Sequence, residues 1–99
     1  MNNRGTVVVL NDTAAIDHYG CKVVMKRIID VVAGAGYEVK TVSVYSTWRV
    51  HRKLIDQSAG VIVNGEGTLH HSARRAQSLV AVAPYCAARG IPVFLINSV

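Results

Sequence analysis

The chain has 99 residues, enough for one small domain with one modest core. Hydrophobic residues make up 51% of it and the mean hydropathy is +0.27, yet no run approaches the roughly 20 apolar residues of a membrane span. The formal net charge of +5 favours anionic partners, but the basic residues are scattered and aromatic residues make up only 6%, which argues against a nucleic-acid-binding face.

The amino terminus and the cysteines indicate the compartment. The start, MNNRGTVVVLNDT, has too short an apolar run for a signal peptide and no small-residue cleavage site. Cys21 and Cys86 form neither a disulfide framework nor a zinc-binding spacing. We therefore expect a cytoplasmic protein with reduced thiols and no membrane span. Its apolar composition leaves surface to cover, and a homo-oligomer is one way to cover it.

Four short apolar runs alternate with helical patterns along the chain. The first, TVVVLN, and the third, GVIVN, are continuous runs rich in β-branched residues, which is typical of strands buried on both faces. The alternation predicts a Rossmann-like three-layer α/β domain with a parallel sheet of about four strands in the order 2-1-3-4. The predicted strands lie at roughly 6–11, 39–45, 60–64 and 92–97.

Three helical segments are predicted between these strands. The first covers about 18–32, with Asp17 as its N-cap and an apolar stripe that includes Val31. Thr47 caps a short second helix. Pro84 should kink or restart the third, because proline removes a backbone donor and crowds the preceding turn. The inward residues predicted for this third helix are Ala76, Leu79, Val80 and Ala83.

The sequence ends on an apolar strand with no helix after it to cover the last hydrophobic face. A complete doubly wound domain normally continues, so we expect residues 1–99 to be a partial amino-terminal domain whose carboxy-terminal half is missing. The same reasoning predicts exposed apolar side chains at Phe94, Ile96 or the helix around Pro84. A second α/β half encoded after Val99 would favour an enzyme, and a natural stop there would favour a binding module.

Polar residues cluster where the first and third predicted strands end. Open parallel sheets bind ligands outside the carboxyl ends of their strands, where the strand order reverses. The segments NDTAAIDHYG and NGEGTLHHSARR follow those two strands, so we expect them to line one crevice. Glycines there would let a ligand approach the backbone near a helix N-terminus. The residues predicted to bind substrate are Asn11, Asp12, His18, Gly65, Gly67, Thr68 and His70.

Glu66, between two glycines, is the candidate catalytic residue, and two roles are open for it. It could orient a sugar hydroxyl or act as a base, or it could accept backbone N–H bonds and pin the turn. The adjacent His70 and His71 cannot share a helix face as a zinc pair at i, i+4 does, so no metal site is predicted. A dinucleotide fingerprint needs a third glycine and a downstream acid, and neither follows Gly67.

Two segments resemble the amino-terminal half of the polysaccharide pyruvyl transferase family. VVLNDTAAIDHYGCKVVMKRI resembles the family's opening strand, Asn-Asp-Thr loop and helix start. GVIVNGEGTLHH, followed by AARGIPVFLINSV, resembles its glycine-rich turn, helix and next strand. Together they span nearly the whole chain. Glu66 stands where many relatives carry a third glycine.

The resemblance implies one half of a GT-B-like two-domain enzyme that moves a pyruvyl group from phosphoenolpyruvate to sugar hydroxyls of a polysaccharide or glycan precursor, as a ketal. Its partners would be phosphoenolpyruvate and a sugar acceptor, with no cofactor. Donor-binding basic groups are expected in the other half, so the 99 residues alone should be inactive. Two alternatives stay open: a GT-B-like glycosyltransferase using a nucleotide sugar, and a non-catalytic Rossmann-like module that binds phosphate or a nucleotide.

Overall fold

Strands and helices alternate along the protein as the sequence predicts. The computed structural model describes residues 4–12, 19–43, 47–64, 77 and 79–96. The elements in these parts are, in chain order, β1 (Thr6–Asp12), α1 (Tyr19–Gly34), β2 (Glu38–Ser43), a 3-10 helix (Trp48–His51), α2 (Arg52–Asp56), β3 (Gly60–Asn64), α3 (Val82–Ala87) and β4 (Val93–Ile96).

The four strands form one parallel sheet in the order β2-β1-β3-β4. This confirms the predicted strand order, and the strand boundaries agree with the prediction to within a few residues. β1 and β3 lie in the middle, and the four residues from Val7 to Leu10 pair with those from Gly60 to Val63. The two central strands are the most continuous apolar runs because helices cover them on both faces.

The sheet separates two helical layers. Side chains alternate along a strand, so Val61 and Val63 face one side of β3 and Asn64 faces the other. The first side carries the main core, together with the 3-10 helix, α2 and α3. On the second side, Asn64 contacts the buried Met25 of α1. This is a three-layer, Rossmann-like α/β arrangement. The buried members of the main core are Val8, Leu10, Val42, Trp48, Ile55, Val61, Val63, Val82, Cys86 and Ile91.

Helix α1 packs on the sheet through a stripe that differs from the prediction at one position. Met25 is buried, and Ile29 and Val32, on the same helix face, are half-buried. The predicted inward position of Val31 is wrong, because its side chain is 67% exposed. With 3.6 residues per turn, Val31 is rotated by about 120° from Met25. The helix ends at Gly34, two residues after the predicted end at about residue 32.

The second helical segment follows the prediction closely. Thr47 is its N-cap, and the Thr47 Oγ1 atom accepts a hydrogen bond from the Arg49 backbone N–H at 3.4 Å. Trp48 and Ile55 are the buried residues of the 3-10 helix and α2, respectively, and both belong to the main core. His51 is half-buried. No helix among the described residues is long and apolar enough to cross a membrane.

Helix α3 begins at Val82, two residues before Pro84, after a turn at Ala81. This confirms that the proline restarts the helix, since a proline is tolerated in the first turn but not further along. The restart changes which residues face the sheet. The predicted inward positions of Val80 and Ala83 are wrong: both are exposed, while Leu79 is half-buried. The buried residues of α3 are Val82 and Cys86.

Strand β4 forms one edge of the sheet and exposes apolar side chains. Phe94 is 59% exposed and Leu95 is 48% exposed, while Ile96 is half-buried. The sequence predicts exposure at Phe94, and the structure agrees. The neighbouring β3 is buried along most of its length, so among these two adjacent strands the exposed apolar side chains lie on the edge strand β4.

Candidate functional site

The strand order reverses between β1 and β3, which is where the crevice is predicted. From β1 the chain continues through α1 to β2 on one side, whereas from β3 it continues through α3 to β4 on the other. The connections therefore leave in opposite directions at the carboxyl ends of these two neighbouring strands. That is the point at which an open parallel sheet leaves space for a ligand.

Two asparagines join the carboxyl ends of β1 and β3. Asn11 Nδ2 donates a hydrogen bond to the Asn64 carbonyl oxygen at 2.6 Å. In return, Asn64 Nδ2 donates a hydrogen bond to the Asn11 carbonyl oxygen at 3.3 Å. The main-chain pairing of the strands extends to Leu10 and Val63, one residue earlier on each strand. The two side-chain hydrogen bonds thus extend the pairing of β1 with β3 by one residue on each strand.

Both asparagines are buried, Asn11 with 6% of its surface exposed and Asn64 with 0%. A buried amide destabilises a protein by about 1–3 kcal/mol if its hydrogen bonds are not made. Asn64 Nδ2 also lies 3.4 Å from Met25 Sδ, a weak acceptor on α1. The amide of Asn64 therefore contacts both β1 and α1.

Asn11 adopts a left-handed backbone conformation, with a φ of 64°. Asparagine is tolerated there better than most residues, because its short side chain can form local hydrogen bonds. The pairing of β1 with β2 shifts register between Val9 and Asp12, the stretch that contains Asn11. The end of β1 is therefore irregular at the sheet edge where the crevice is predicted.

The predicted site residues divide into two groups. Asn11 lies at the crevice, and Asp12, the last residue of β1, pairs through its backbone with Ser43. The others lie outside the described residues, and their roles stay predictions; they are His18, Gly65, Glu66, Gly67, Thr68 and His70.

Sequence reasoning did not assign a role to Asn64 or Met25. A usable signal for Asn64 is present in the sequence, because both central apolar runs, TVVVLN and GVIVN, end in asparagine. Once the strands are placed side by side with Leu10 opposite Val63, the two asparagines are neighbours. Met25 has no comparable signal, since a methionine in a helical apolar stripe is most often a core residue.

A second polar cluster lies on the other side of the sheet, where α2 meets α3. Tyr85 Oη donates to Asp56 Oδ1 at 2.7 Å, and Arg89 Nε lies 3.1 Å from the same carboxylate oxygen. The guanidinium carbon of Arg89 is 3.6 Å from the centre of the Tyr85 ring, which in turn packs against Trp48 with ring centres 5.1 Å apart. Each of these side chains has a partner within the cluster. We therefore interpret the cluster as a structural contact that holds α2 against α3.

Cys86 shows no feature of a reactive thiol. It is free and buried in the main core, and burial raises the pKa of its thiol, which disfavours the nucleophilic thiolate. Among the residues that the structure describes, no group of three or more His, Cys, Asp or Glu side chains could hold a metal ion.

Comparison with known proteins adds no assignment. No protein-family model, no curated protein and no solved structure matches the chain.

Proposed function

We propose that the protein is a transferase of the polysaccharide pyruvyl transferase type, which moves a pyruvyl group from phosphoenolpyruvate to a sugar hydroxyl. The observation that supports the proposal is the reversal of strand order between β1 and β3, whose two ends are joined by Asn11 and Asn64. The two polar segments that resemble the family leave the sheet at these strand ends. On this proposal the domain is one wall of a cleft in a GT-B-like enzyme and holds part of the acceptor site.

The reaction requires few groups from the protein. The bond between phosphoenolpyruvate C2 and the phosphate oxygen breaks, and two bonds form from C2 to sugar hydroxyl oxygens, giving a ketal. One hydroxyl proton is transferred to the methylene carbon, which becomes a methyl group, and the other leaves with inorganic phosphate. Glu66 is assigned to orient a sugar hydroxyl or to accept its proton.

The test is an assay of a full-length enzyme that contains this domain, because the 99 residues alone should be inactive. The substrates are ¹³C-labelled phosphoenolpyruvate and a panel of hexose and N-acetylhexosamine glycosides. The expected result is release of inorganic phosphate together with a new ketal methyl signal in the NMR spectrum. Binding of a nucleotide sugar with transfer of the sugar would favour a glycosyltransferase instead. Binding of phosphate or a nucleotide without turnover would favour a non-catalytic module.

The Glu66→Gln variant tests the residue assignment. Removal of a general base lowers rates by roughly 10²–10⁴-fold, so we expect specific activity to fall by about that much while the melting temperature stays nearly unchanged. The matched control is His51→Ala, in the 3-10 helix that follows β2, which should leave turnover intact. Normal specific activity with a loss of a few kcal/mol of stability in Glu66→Gln would instead mean that Glu66 pins the turn.

A further inference from the structure

Asn64 occupies a position where an apolar residue would stabilise the sheet more simply. It ends a strand whose other residues are buried or half-buried and apolar or glycine, and its own side chain is fully buried. Burying an amide costs free energy that hydrogen bonds only offset, whereas a valine or leucine of similar size would gain from burial. A role for the amide is therefore to be found in what it contacts.

The side chain of Asn64 links β3 to β1 and to α1. Asn11, the residue opposite on β1, lies two positions before the segment 13–18, and Met25 lies in α1, the helix that follows this segment. Asn64 itself immediately precedes residues 65–76. One side chain thus contacts both described elements that flank residues 13–18, and the same residue immediately precedes residues 65–76.

The reciprocal arrangement makes the two strand ends a unit. Each asparagine donates from its side chain to the main-chain carbonyl of the other, across 53 positions in sequence. The left-handed backbone of Asn11 lies at the register shift of β1, and its hydrogen bond to Asn64 joins this irregular part of β1 to the neighbouring strand.

We propose that Asn11 and Asn64, with Met25 behind them, are a positioning pair that sets the spacing between the segments that follow β1 and β3, residues 13–18 and 65–76. The pair acts through the residues of those segments, and Asn11 acts by holding Asn64, in place of the substrate contact predicted for it from the sequence. The catalytic consequence rests on the proposed function. The structural consequence does not, because hydrogen exchange in these segments is measurable without any substrate.

Hydrogen exchange followed by NMR tests the structural part. In Asn64→Leu we expect backbone amides in residues 13–18 and 65–71 to exchange roughly tenfold faster than in the wild type, since a buried hydrogen-bonded amide is lost. The matched control is Tyr85→Phe, which removes a hydrogen bond on the opposite side of the sheet and should leave both loops unchanged. Unchanged exchange in Asn64→Leu, or equal acceleration in Tyr85→Phe, would overturn the proposal.

Two further variants keep the test decisive if Asn64→Leu does not fold. Asn11→Gly retains a residue suited to the left-handed backbone and removes the amide, and Asn64→Asp keeps the side-chain shape and removes the donor. Each should accelerate exchange in both loops. Because the two asparagines act as a unit, the Asn11→Gly/Asn64→Asp double variant should exchange no faster than the more affected single variant. Additive effects would show two independent residues.

The catalytic part is tested by steady-state kinetics on the same variants. Misplacement of reacting groups by about 1 Å can reduce rates by roughly 10²-fold, so Asn11→Gly should lower kcat at least tenfold, whereas Tyr85→Phe should not. Accelerated loop exchange with an unchanged kcat would overturn the catalytic consequence. These kinetics use the full-length enzyme that contains the domain. If its wild type shows no pyruvyl transfer, the proposed function fails, and the exchange experiment still decides the positioning role.

Discussion

At the scale of single residues, the exposed carboxylate of Asp56, at the end of α2, interacts with two side chains on or next to α3. It accepts a hydrogen bond from Tyr85 at 2.7 Å and pairs with Arg89 at 3.1 Å, and Arg89 also covers the Tyr85 ring. An isolated surface ion pair contributes little to stability, but here the carboxylate also holds a tyrosine that packs on the buried Trp48. The cluster therefore fixes α2 against α3.

The Tyr85 hydroxyl makes the stability contributed by this contact between α2 and α3 depend on pH. Its hydrogen bond to Asp56 raises the pKa of Tyr85, and burial raises the pKa further, partly offset by Arg89. A pKa that is raised by folding means that the folded state binds the proton more tightly. The stabilisation is complete below the ordinary tyrosine pKa of about 10 and decreases as pH rises through the higher pKa of the folded protein.

We expect Tyr85→Phe to unfold at a lower denaturant concentration than the wild type at pH 8, with the difference narrowing above about pH 10. Urea unfolding at a series of pH values measures both midpoints. Tyr37→Phe, at a tyrosine between α1 and β2, serves as the control for loss of a phenol hydroxyl. A gap between Tyr85→Phe and wild type that stays constant across the series would contradict the assigned role of the proton.

At the scale of elements, the end of α1 depends on two glycines with different backbone requirements. Gly34 is the last helical residue, and a Cβ added there meets no atom within 4 Å. Gly36 has a φ of 96°, a conformation that side chains with a Cβ rarely adopt. The glycine at position 36 lets the chain turn from α1 into β2, where the Arg4 backbone N–H donates to its carbonyl oxygen at 2.9 Å.

Alanine substitutions at these two glycines should change the free energy of unfolding in opposite directions. Gly34→Ala should raise the free energy of unfolding by about 0.5–1 kcal/mol, because it restricts the unfolded chain at a site where alanine fits. Gly36→Ala should lower it by roughly 1–2 kcal/mol, because the left-handed region disfavours a Cβ. Chemical denaturation of both variants gives the comparison. A stabilising Gly36→Ala would show that the chain can leave the helix through another turn.

At the scale of the whole molecule, the two edges of the sheet differ in character. β2 carries charged side chains, with Lys40 Nζ 2.9 Å from Glu38 Oε1. β4, with the sequence VFLI, has no charged residue, and Phe94 and Leu95 are exposed. Charges on an edge strand discourage pairing with another chain, and of the two described edges β4 is the one without such charges.

We expect the 99-residue chain to self-associate as its concentration rises and Phe94→Lys to reduce that association. The substitution should change the free energy of unfolding by no more than about 0.5 kcal/mol, because Phe94 is already exposed. Sedimentation velocity over a concentration series measures the association. Val50→Lys adds the same charge at a valine that is 72% exposed and lies in the 3-10 helix. Equal effects of the two lysines would point to net charge rather than to the β4 edge.

Much of the architecture was predictable from local sequence. The runs TVVVLN and GVIVN predict buried parallel strands because they are continuous, and the alternation with helices then favours the order that the structure has. Thr47 and Pro84 mark helix starts through backbone chemistry that acts within a few residues. Such signals are readable because each depends on one residue and its immediate neighbours.

The tertiary structure decided which side chains face the sheet and which contacts form between the ends of β1 and β3. Val31 and Val80 fit an apolar stripe in sequence but are exposed, since the axis of a helix and the break at Ala81 decide which residues reach the sheet. Each central run ends in asparagine, and local pattern alone does not say that the two amides meet. That contact requires β1 and β3 to be neighbours in register, and α1 must lie over them to bring Met25 to Asn64. The physical reason is distance along the chain: a hydrogen bond across 53 positions forms only after the sheet has been assembled.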